Sequence, residues 1–519
     1  MCGIFGLIQL QNISQEVINK SFSSLHHRGS DGYGSFDGST LFFTKNSTEF
    51  TKELKKMNTN TLFIHSLHSL VGNVAQPLQG KRGILLANCE IYNWQQVAKK
   101  HHFDAKNDAD LLLQLLDSYF SGKKNIDEKM ITQLITQLEQ ELDGDYAFVY
   151  LVDDFVILSR DHVGVKPLCY FHDQNLFVVS SENKVIKSSI QKEGILFNPN
   201  ELIMFNKQNN KITRLKKKSN FIIERKEYGH DGKEKLRSLL LQSVEKRIIE
   251  LQELPKEKRK LGILFSGGVD SSTIALLTHQ INKQKHLGIE IICYTAAFAE
   301  GNVRNAPDLI AAQKVALQLG FTLKAKIVSL AEIEKIIPFL IPIIEANDPI
   351  RVGVALPFYF SCQEALKDGC KVMLSGLGSE ELFAGYQRHA DVLHKNGYTA
   401  INKECLLGLQ QIWERDLYRD DLLTMHFQQE LRLPFLDKEL ISFALQIPAP
   451  MKIDTEQKKI ILRQVAQEFG LSVEFSQRKK MAAQYGSNFD KALDKLARKY
   501  GILKGQYLQQ NKFNDRSFI

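Results

Sequence analysis

The sequence predicts a two-domain chain of α/β and α+β architecture, with a layered sheet domain in front and an open parallel sheet with helices behind. Three observations carry this expectation. Residues 1–200 consist mainly of short β runs separated by Gly, Asp and Asn turns. From about residue 236, long amphipathic helices alternate with buried strands. Between them, over 201–235, lies a polar segment that is rich in lysine from about 205 onward. At 519 residues and 59.2 kDa the chain is also longer than one ordinary core organises.

In the front half the β runs are "LFFT" at 41–44, "TLFIH" at 61–65, "GILLANCEIY" at 83–92, "DYAFVYLVDDFVILSRD" at 145–161 and "LFVVSSE" at 176–182. Two helical stretches interrupt them, near 108–121 and 127–142. In the back half "LGILF" at 261–265 and "IEIICYTAAF" at 289–298 are continuous apolar runs, as parallel strands covered on both faces require.

Composition excludes several classes. Apolar residues make up 43% and charged residues 24%, the balance of a globular protein. The longest apolar run, "IIPFLIPII" at 336–344, carries two prolines and is about half the ~20 residues of a membrane span. No basic segment precedes an apolar one at the N-terminus, so no signal peptide and a cytoplasmic location are expected. The net charge of +8 includes the clusters "LKKKSNFIIERK" at 215–226 and "QRKK" at 477–480; without aromatic interleaving the first reads as a solvated linker, and no nucleic-acid partner is expected. The seven cysteines are dispersed and form no CxxC pair, which argues against a disulfide framework and a structural zinc site. "HSLH" at 65–68 reads as a strand with two histidines.

Two stretches carry chemistry. The chain opens "MCGIFG". Removal of Met1 would place an α-amine, with a pKa of roughly 7.7–8.0, beside the Cys2 thiol, which makes a nucleophile with its own base. The plain alternative is a cysteine beginning a buried strand. The second stretch, "LGILFSGGVDSSTIALLTHQ" at 261–280, is strand, glycine turn and helix. Gly267 and Gly268 allow close backbone approach, and Ser266, Ser271, Ser272 and the helix N-terminus face an anion. Asp270 among these donors suggests Mg²⁺ bridging phosphates. The GxxxxGK[ST] spacing of a γ-phosphate loop is missing.

"SGGVDSS" resembles the pyrophosphate loop of ATP pyrophosphatases, and together with "MCGIFG" the chain resembles the glutamine-hydrolysing asparagine synthetases. Supporting motifs run in order: "HRGSDG" at 27–32, "AQPL" at 75–78, "NCEIYN" at 88–93, "NDAD" at 107–110, "LDGDYAF" at 142–148, "RDHVGVKPLCY" at 160–170, "SSENK" at 180–184, "PDLIAAQKVALQLG" at 307–320, "SGLGSEELFAGY" at 375–386 and "RLPFLD" at 432–437. The resemblance implies an N-terminal-nucleophile αββα sandwich over 2–200, a type-2 glutamine amidotransferase domain. It further implies a linker over 201–235 and an adenine-nucleotide α-hydrolase-like parallel sheet over 236–519, the ATP pyrophosphatase domain.

The resemblance also implies roles. Cys2 attacks the glutamine amide, Asn88 and the N–H of Cys89 form the oxyanion hole, and Asp108 and Glu90 bind glutamine. ATP binds at Ser266, Gly267, Gly268, Asp270, Ser271 and Ser272, near Leu264, Ala297, Ser375 and Gly376. Lys480 stabilises phosphate charge and Arg351 faces the substrate. The implied reaction forms β-aspartyl-AMP from aspartate and ATP with Mg²⁺, and ammonia passing inside the protein displaces AMP. A homodimer is common in the family.

Four departures bear on this. Leu67 stands where the family has an arginine that pairs with the glutamine carboxylate, so glutamine affinity drops unless Arg28 or Arg82 substitutes. Cys89 replaces a glycine and brings a second thiol near the nucleophile. In "SGLGSEE", Leu377 replaces a glutamate and Glu380 an aspartate. The family's "HHE" after its "LG" helix end is absent from "LGFTLKAKI". Archaeal asparagine synthetases and asparagine synthetase domain-containing proteins share this texture. Two readings therefore stand beside the synthetase: an ammonia-dependent amide ligase with an impaired glutaminase, and a non-catalytic protein on the same scaffold.

Overall fold

A computed structural model describes residues 2–70, 72–123, 126–217, 221, 232–301, 303 and 305–511. The chain separates into two compact units, Met1–Asn220 and Phe221–Ile519.

The front unit contains β1 (Gly3–Gln9), β2 (Gly32–Phe36), β3 (Leu41–Thr44), β4 (Thr61–Leu67), β5 (Leu78–Gln79), β6 (Gly83–Ile91), β7 (Gly144–Val152), β8 (Phe155–Arg160), β9 (Cys169–His172), β10 (Leu176–Ser180), β11 (Ile195–Leu196), β12 (Glu201–Asn206) and β13 (Lys211–Lys216). They form two antiparallel sheets, ordered β11-β9-β10-β1-β4-β2-β3 and β13-β12-β8-β7-β6-β5. Ile4, Phe63 and Val179 of the first sheet meet Leu86, Val149 and Ile203 of the second in one core.

The outer face of the second sheet carries the helices Asp108–Phe120 and Glu128–Glu141, whose Leu112, Leu116, Ile135 and Leu138 pack with Leu85, Phe148 and Tyr150. The helices Gln15–Leu25 and Asn183–Ile190 cover β1 and β10. The result is the expected four-layer αββα sandwich. It explains why β7, "GDYAFVYLV", is buried at every position: it is covered on both faces.

The boundary at 200 is corrected. Residues 201–216, read from sequence as the start of a linker, form β12 and β13 of the second sheet, with Ile203 registered on Leu158 of β8. Lys211, Arg214 and Lys216 of that segment belong to β13, an edge strand of mixed exposure, where charge discourages further strand pairing. Residues 218–220 and 222–231, which hold most of the basic cluster, lie outside the described residues.

The back unit is built on five parallel strands, β14 (Lys260–Leu264), β15 (Glu290–Phe298), β16 (Leu323–Val328), β17 (Val372–Leu374) and β18 (Glu430–Arg432), in the order β16-β15-β14-β17-β18. The chain winds outward in one direction from β14 to β16 and in the other from β17 to β18. The carboxyl ends of β14 and β17 therefore flank a topological switch point, where open α/β sheets leave a ligand crevice. "SGGVDSS" follows β14 and "SGLGSEE" follows β17, so the fold brings the two motifs together. The proline-containing apolar run lies in the helix Leu330–Ile344, with Ile337, Leu340, Ile341 and Ile344 buried. Among the described residues, no helix is long and apolar enough to cross a membrane.

Arg160 is a structural keystone of the sandwich. Its buried guanidinium donates to the carbonyls of Lys166 (2.7 Å), Gly164 (2.6 Å) and Phe197. Arg160→Met strands these carbonyls at about 1–3 kcal/mol each, so the front unit is expected to lose roughly 3 kcal/mol or more, read from its urea midpoint.

Candidate active sites

In the front unit Cys2 sits just ahead of β1 and is 7% exposed. Its backbone N–H donates to Asn88 Oδ1 at 2.9 Å, and its Sγ lies 3.8 Å from the His68 carbonyl. Arg28 Nε donates to the Cys2 carbonyl at 3.0 Å, and Arg28 Nη1 pairs with Glu182 Oε1 at 2.7 Å. Both ends of this ion pair are fully buried. Burial pushes the Glu182 carboxyl up, but His27, Lys184 and Arg28 outweigh it and hold the group well below the usual range. The Cys2 main chain is thus fixed on one side by an ionised pair and on the other by an amide.

That amide is only half used. Asn88 Nδ2 is buried and has no hydrogen-bond partner among the described residues. An unpaired buried donor costs about 1–3 kcal/mol, and it is the group an oxyanion needs. Asp108 opens the helix Asp108–Phe120; its Oδ2 accepts from the Ile91 N–H at 3.1 Å and its Oδ1 from the Ala109 N–H at 2.8 Å. The Cys89 thiol shares this neighbourhood. Burial first, then the charges at Asp108, Cys2 and Glu90, push its pKa well up, so it stands as a neutral thiol. Cys2, Asn88, Cys89, Glu90 and Asp108, named from sequence, therefore lie in one neighbourhood.

Neither proposed substitute for the missing arginine is at liberty. Arg28 is engaged with Glu182 and the Cys2 carbonyl. Arg82 precedes β6 and pairs with Asp153 at 3.0 Å, some ~20 Å of strand from Asn88. Leu67 itself is 7% exposed, opposite Gly32 on β2.

In the back unit a cavity of about 550 Å³ occupies the switch point. Leu264, Ser266, Asp270, Ser271, Arg351, Ser375, Gly376, Leu377, Glu380 and Lys480, all named from sequence, line it. Gly267 does not line the cavity but shapes the loop: its φ is +65°, and a Cβ there would lie 2.5 Å from the Ala311 carbonyl carbon. Gly268 caps the helix Val269–Gln284 with extended backbone. Ser272 is fully buried, and its Oγ has no partner among the described residues. Ala297 faces the core with Ala306 and Leu309, while Thr295 and Ala296 line the cavity. Arg351 is half-exposed and 3.6 Å from Asp348.

The centre of this site is a cluster that sequence reading only half saw. Lys459 Nζ lies 2.8 Å from each oxygen of Asp270, 2.8 Å from Glu380 Oε1 and 3.1 Å from Ser379 Oγ. Lys480 Nζ reaches the same carboxylates at 3.3 and 3.1 Å. Burial raises both acids, but Lys459 and Lys480 outweigh it, so Asp270 and Glu380 are held ionised. Burial opposes the Lys480 charge, and Glu380 and Asp270 overcome that and hold it protonated. Beside the cluster, Arg478 donates to Asp308 at 2.7 Å and to the Ser266 carbonyl at 3.2 Å. Lys459, Ser379, Asp308 and Arg478 were missed from sequence. In "TEQKKIILR" Lys459 reads as one of two surface lysines ahead of a helix, and no spacing marks it.

Farther along the wall, a π-helical turn, Trp413–Leu417, carries Arg415 and Asp416 into the cavity lining. Arg419 pairs with Asp416 at 3.0 Å and Asp420 at 2.8 Å, and Tyr386 donates to Glu381 Oε1 at 2.9 Å. Burial, reinforced by Asp416, pushes Glu381 up to about 7. Burial also lifts Asp420, to about 6 against the pull of Arg419.

A cysteine whose main chain is held by an amide with an unpaired Nδ2, in one unit, and a glycine loop lining a cavity at a sheet switch point, in the other, are the features expected of amidotransferases joined to a nucleotide-cleaving domain. Comparison with known proteins agrees. Residues 1–202 match the glutamine amidotransferase domain, and residues 235–400 and 392–518 match asparagine synthase. A protein of Methanocaldococcus jannaschii named glutamine-hydrolyzing asparagine synthetase 1 is 31% identical, over 97% of each chain. Asparagine synthetase B of Escherichia coli is 26% identical over 96% of this chain and 85% of its own. Among solved structures, a glutamine phosphoribosylpyrophosphate amidotransferase from B. subtilis, 16% identical, covers 64% of this chain and 91% of its own with a TM-score of 0.36. The chain belongs to the asparagine synthase family.

Glu381 gives the back unit a pH dependence. Its folded pKa lies above the unfolded value of 4.5, so the unfolded chain ionises first, and stability falls as pH rises through about 7. Between pH 5 and 8 the expected loss is roughly 2–3 kcal/mol in urea unfolding, and Glu381→Gln removes that slope.

Proposed function

We propose that this chain makes asparagine from aspartate and ATP, with ammonia released from glutamine at Cys2, and that it yields glutamate, AMP and pyrophosphate. The observation that carries the coupled reading is the orphaned Asn88 Nδ2 beside Cys2, joined in one chain to the carboxylate–ammonium cluster on the loop after β14.

After Met1 is removed, the Cys2 amine takes the thiol proton, and Sγ attacks the glutamine amide carbon. Asn88 Nδ2 and the Cys89 N–H stabilise the oxyanion, ammonia leaves, and water hydrolyses the thioester. Asp108 and Glu90 hold the glutamine α-amine side. In the back unit Leu264 and Ala296 flank the base, while Ser266, Ser271, Ser272 and the helix N-terminus receive phosphate oxygens. A β-carboxylate oxygen of aspartate attacks the α-phosphorus, pyrophosphate departs, and ammonia then displaces AMP from β-aspartyl-AMP. Lys480 neutralises charge on the departing phosphates. The Arg419–Asp416–Asp420 group offers one cation and two anions on the cavity wall, a match for the acceptor's zwitterion.

Mg²⁺ fits this donor set. Asp270 and Glu380, whose buried Oε2 lacks a hydrogen-bond partner among the described residues, supply the one or two carboxylates that Mg²⁺ takes beside phosphate oxygens. When bound it would offset the charge that builds on pyrophosphate. The dispersed cysteines, none in a CxxC pair, support a reducing, cytoplasmic compartment. A homodimer belongs to the same proposal, and light scattering tests it.

The test supplies aspartate, Mg-ATP and either amide-¹⁵N-glutamine or ¹⁵N-ammonium, and reads ¹⁵N-asparagine and pyrophosphate. Label is expected from both sources. Cys2→Ala should abolish transfer from glutamine and spare transfer from ammonium. Asn88→Ala should lower the glutamine-dependent rate by about 10²–10³ with ammonium-dependent synthesis unchanged. Label from ammonium alone in the parent chain would favour the impaired-glutaminase reading, which buried Leu67 and the engaged Arg28 and Arg82 motivate. Absence of both label and pyrophosphate would overturn the synthetase reading.

A further inference from the structure

The reaction above assigns a task to Lys480 but none to Lys459, the more deeply buried of the two lysines. The Lys459 side chain is 1% exposed against 40% for Lys480. Four oxygens from three residues converge on its Nζ: both of Asp270, Glu380 Oε1 and Ser379 Oγ. An ammonium has three N–H donors, so it cannot give each of four oxygens a full hydrogen bond. Two carboxylates and a hydroxyl around one centre are instead the hard-oxygen set that suits a small divalent cation.

The surroundings hold the lysine there. Its backbone lies in the left-handed region, φ 60° and ψ 34°, at the start of the helix Ile460–Glu468, a conformation a non-glycine side chain rarely adopts. Gly385 leaves room for the contact: a Cβ at that position would lie 2.2 Å from Lys459 Cε and 1.7 Å from Glu380 Oε2. Charge balance completes the picture. Two carboxylates face two ammoniums, so no net negative charge is left to draw in a free metal ion.

We propose that Lys459 is a positioning residue that stands in for the divalent metal. Its ammonium occupies the Asp270–Glu380 site until a metal-bound polyphosphate arrives, and it then turns to the phosphate oxygens and leaves the carboxylates to the metal. Metal binding is thereby conditional on the phosphate ligand, and a bare cation is kept off the site. This rests on the reading that pyrophosphate is released at the loop after β14.

The experiment is a Mn²⁺ titration of the full chain followed by electron paramagnetic resonance, with and without inorganic pyrophosphate. Without pyrophosphate, Lys459→Met should bind Mn²⁺ more tightly than the parent chain by about tenfold or more, because two carboxylates lose their placeholder. With pyrophosphate the order should reverse, because the variant has lost a phosphate partner. A merely structural lysine would not give opposite signs in the two titrations. Equal Mn²⁺ affinity of parent and variant without pyrophosphate overturns the proposal, as does a variant that keeps the parent's affinity with it. Should Lys459→Met fail to fold, Lys459→Gln provides the same comparison, and tight binding of Mn²⁺ alone to the parent overturns the proposal with no variant. Failure of the synthetase reading is told apart by the labelled assay: absence of asparagine with the reversal intact removes the acceptor, whereas asparagine formed without the reversal removes the placeholder.

Discussion

The ion pair between Asp270 and Lys459 is the constraint around which the back unit is arranged. A carboxylate and an ammonium taken from water each lose several kcal/mol of solvation, and only close pairing with further polar contacts offsets that loss. The fold supplies the pairing from parts far apart in sequence. Asp270 comes from the first turn after β14, Ser379 and Glu380 from the turn after β17, and Lys459 from a helix start nearly two hundred residues beyond Asp270. They meet because the strand order reverses between β14 and β17, so the two carboxyl ends lie side by side. Removal of either lysine would leave negative charge without its partner, and this is why the site is held as a unit rather than as separable contacts.

The front unit works by a complementary device. There the ionised pair, Arg28 with Glu182, does not face the reacting atoms but grips the carbonyl of Cys2 from behind. Beside Cys2 lies a deficiency, the unpaired Nδ2 of Asn88, whose own Oδ1 is occupied by the Cys2 N–H. The strand geometry makes this dependable: β6 pairs with β7 along its full length, with Asn88 registered on Ala147 and Cys89 on Tyr146. An amide on such a strand has little freedom to relax toward another partner. The donor therefore stays unpaired beside Cys2, which is the feature the proposed oxyanion role rests on.

The sequence disclosed elements and motifs better than it disclosed their meeting points. The short β runs of β6, β7 and β10 and the helical stretches near 108 and 127 were plain from composition and turn punctuation, because each is decided by residues close in sequence. β12 and β13 were taken for linker because β13 is an edge strand, and the charges that protect an edge are also those that mark a solvated tail. The glycine loop and its acid were legible because their chemistry is contiguous. Lys459 was not, since its significance lies in a backbone turn and a tertiary approach that leave no local trace. Ala297, named from sequence, packs with Ala306 and Leu309, while the preceding Thr295 and Ala296 line the cavity.

The apolar replacements in the two sites gain sense from the charges around them. The cavity wall that includes Leu377 already holds Glu380, Asp416 and Asp420, with Glu381 adjacent, and burial has driven two of these acids up to about 7 and about 6. Another carboxylate at position 377 would add negative charge to a wall where burial already raises Glu381 and Asp420, and each added charge raises the pKa of its neighbours. Leucine avoids that repulsion while its N–H remains tied to Ser375 Oγ at 3.3 Å, so the loop after β17 keeps its path. The same logic fails for Leu67. Leu67 is buried opposite Gly32, and Arg28 is already engaged by Glu182, so neither supplies a cation in place of the missing arginine. Electrostatics thus accounts for the back-site leucine as a relief of charge, whereas the structure gives the front-site leucine no such account.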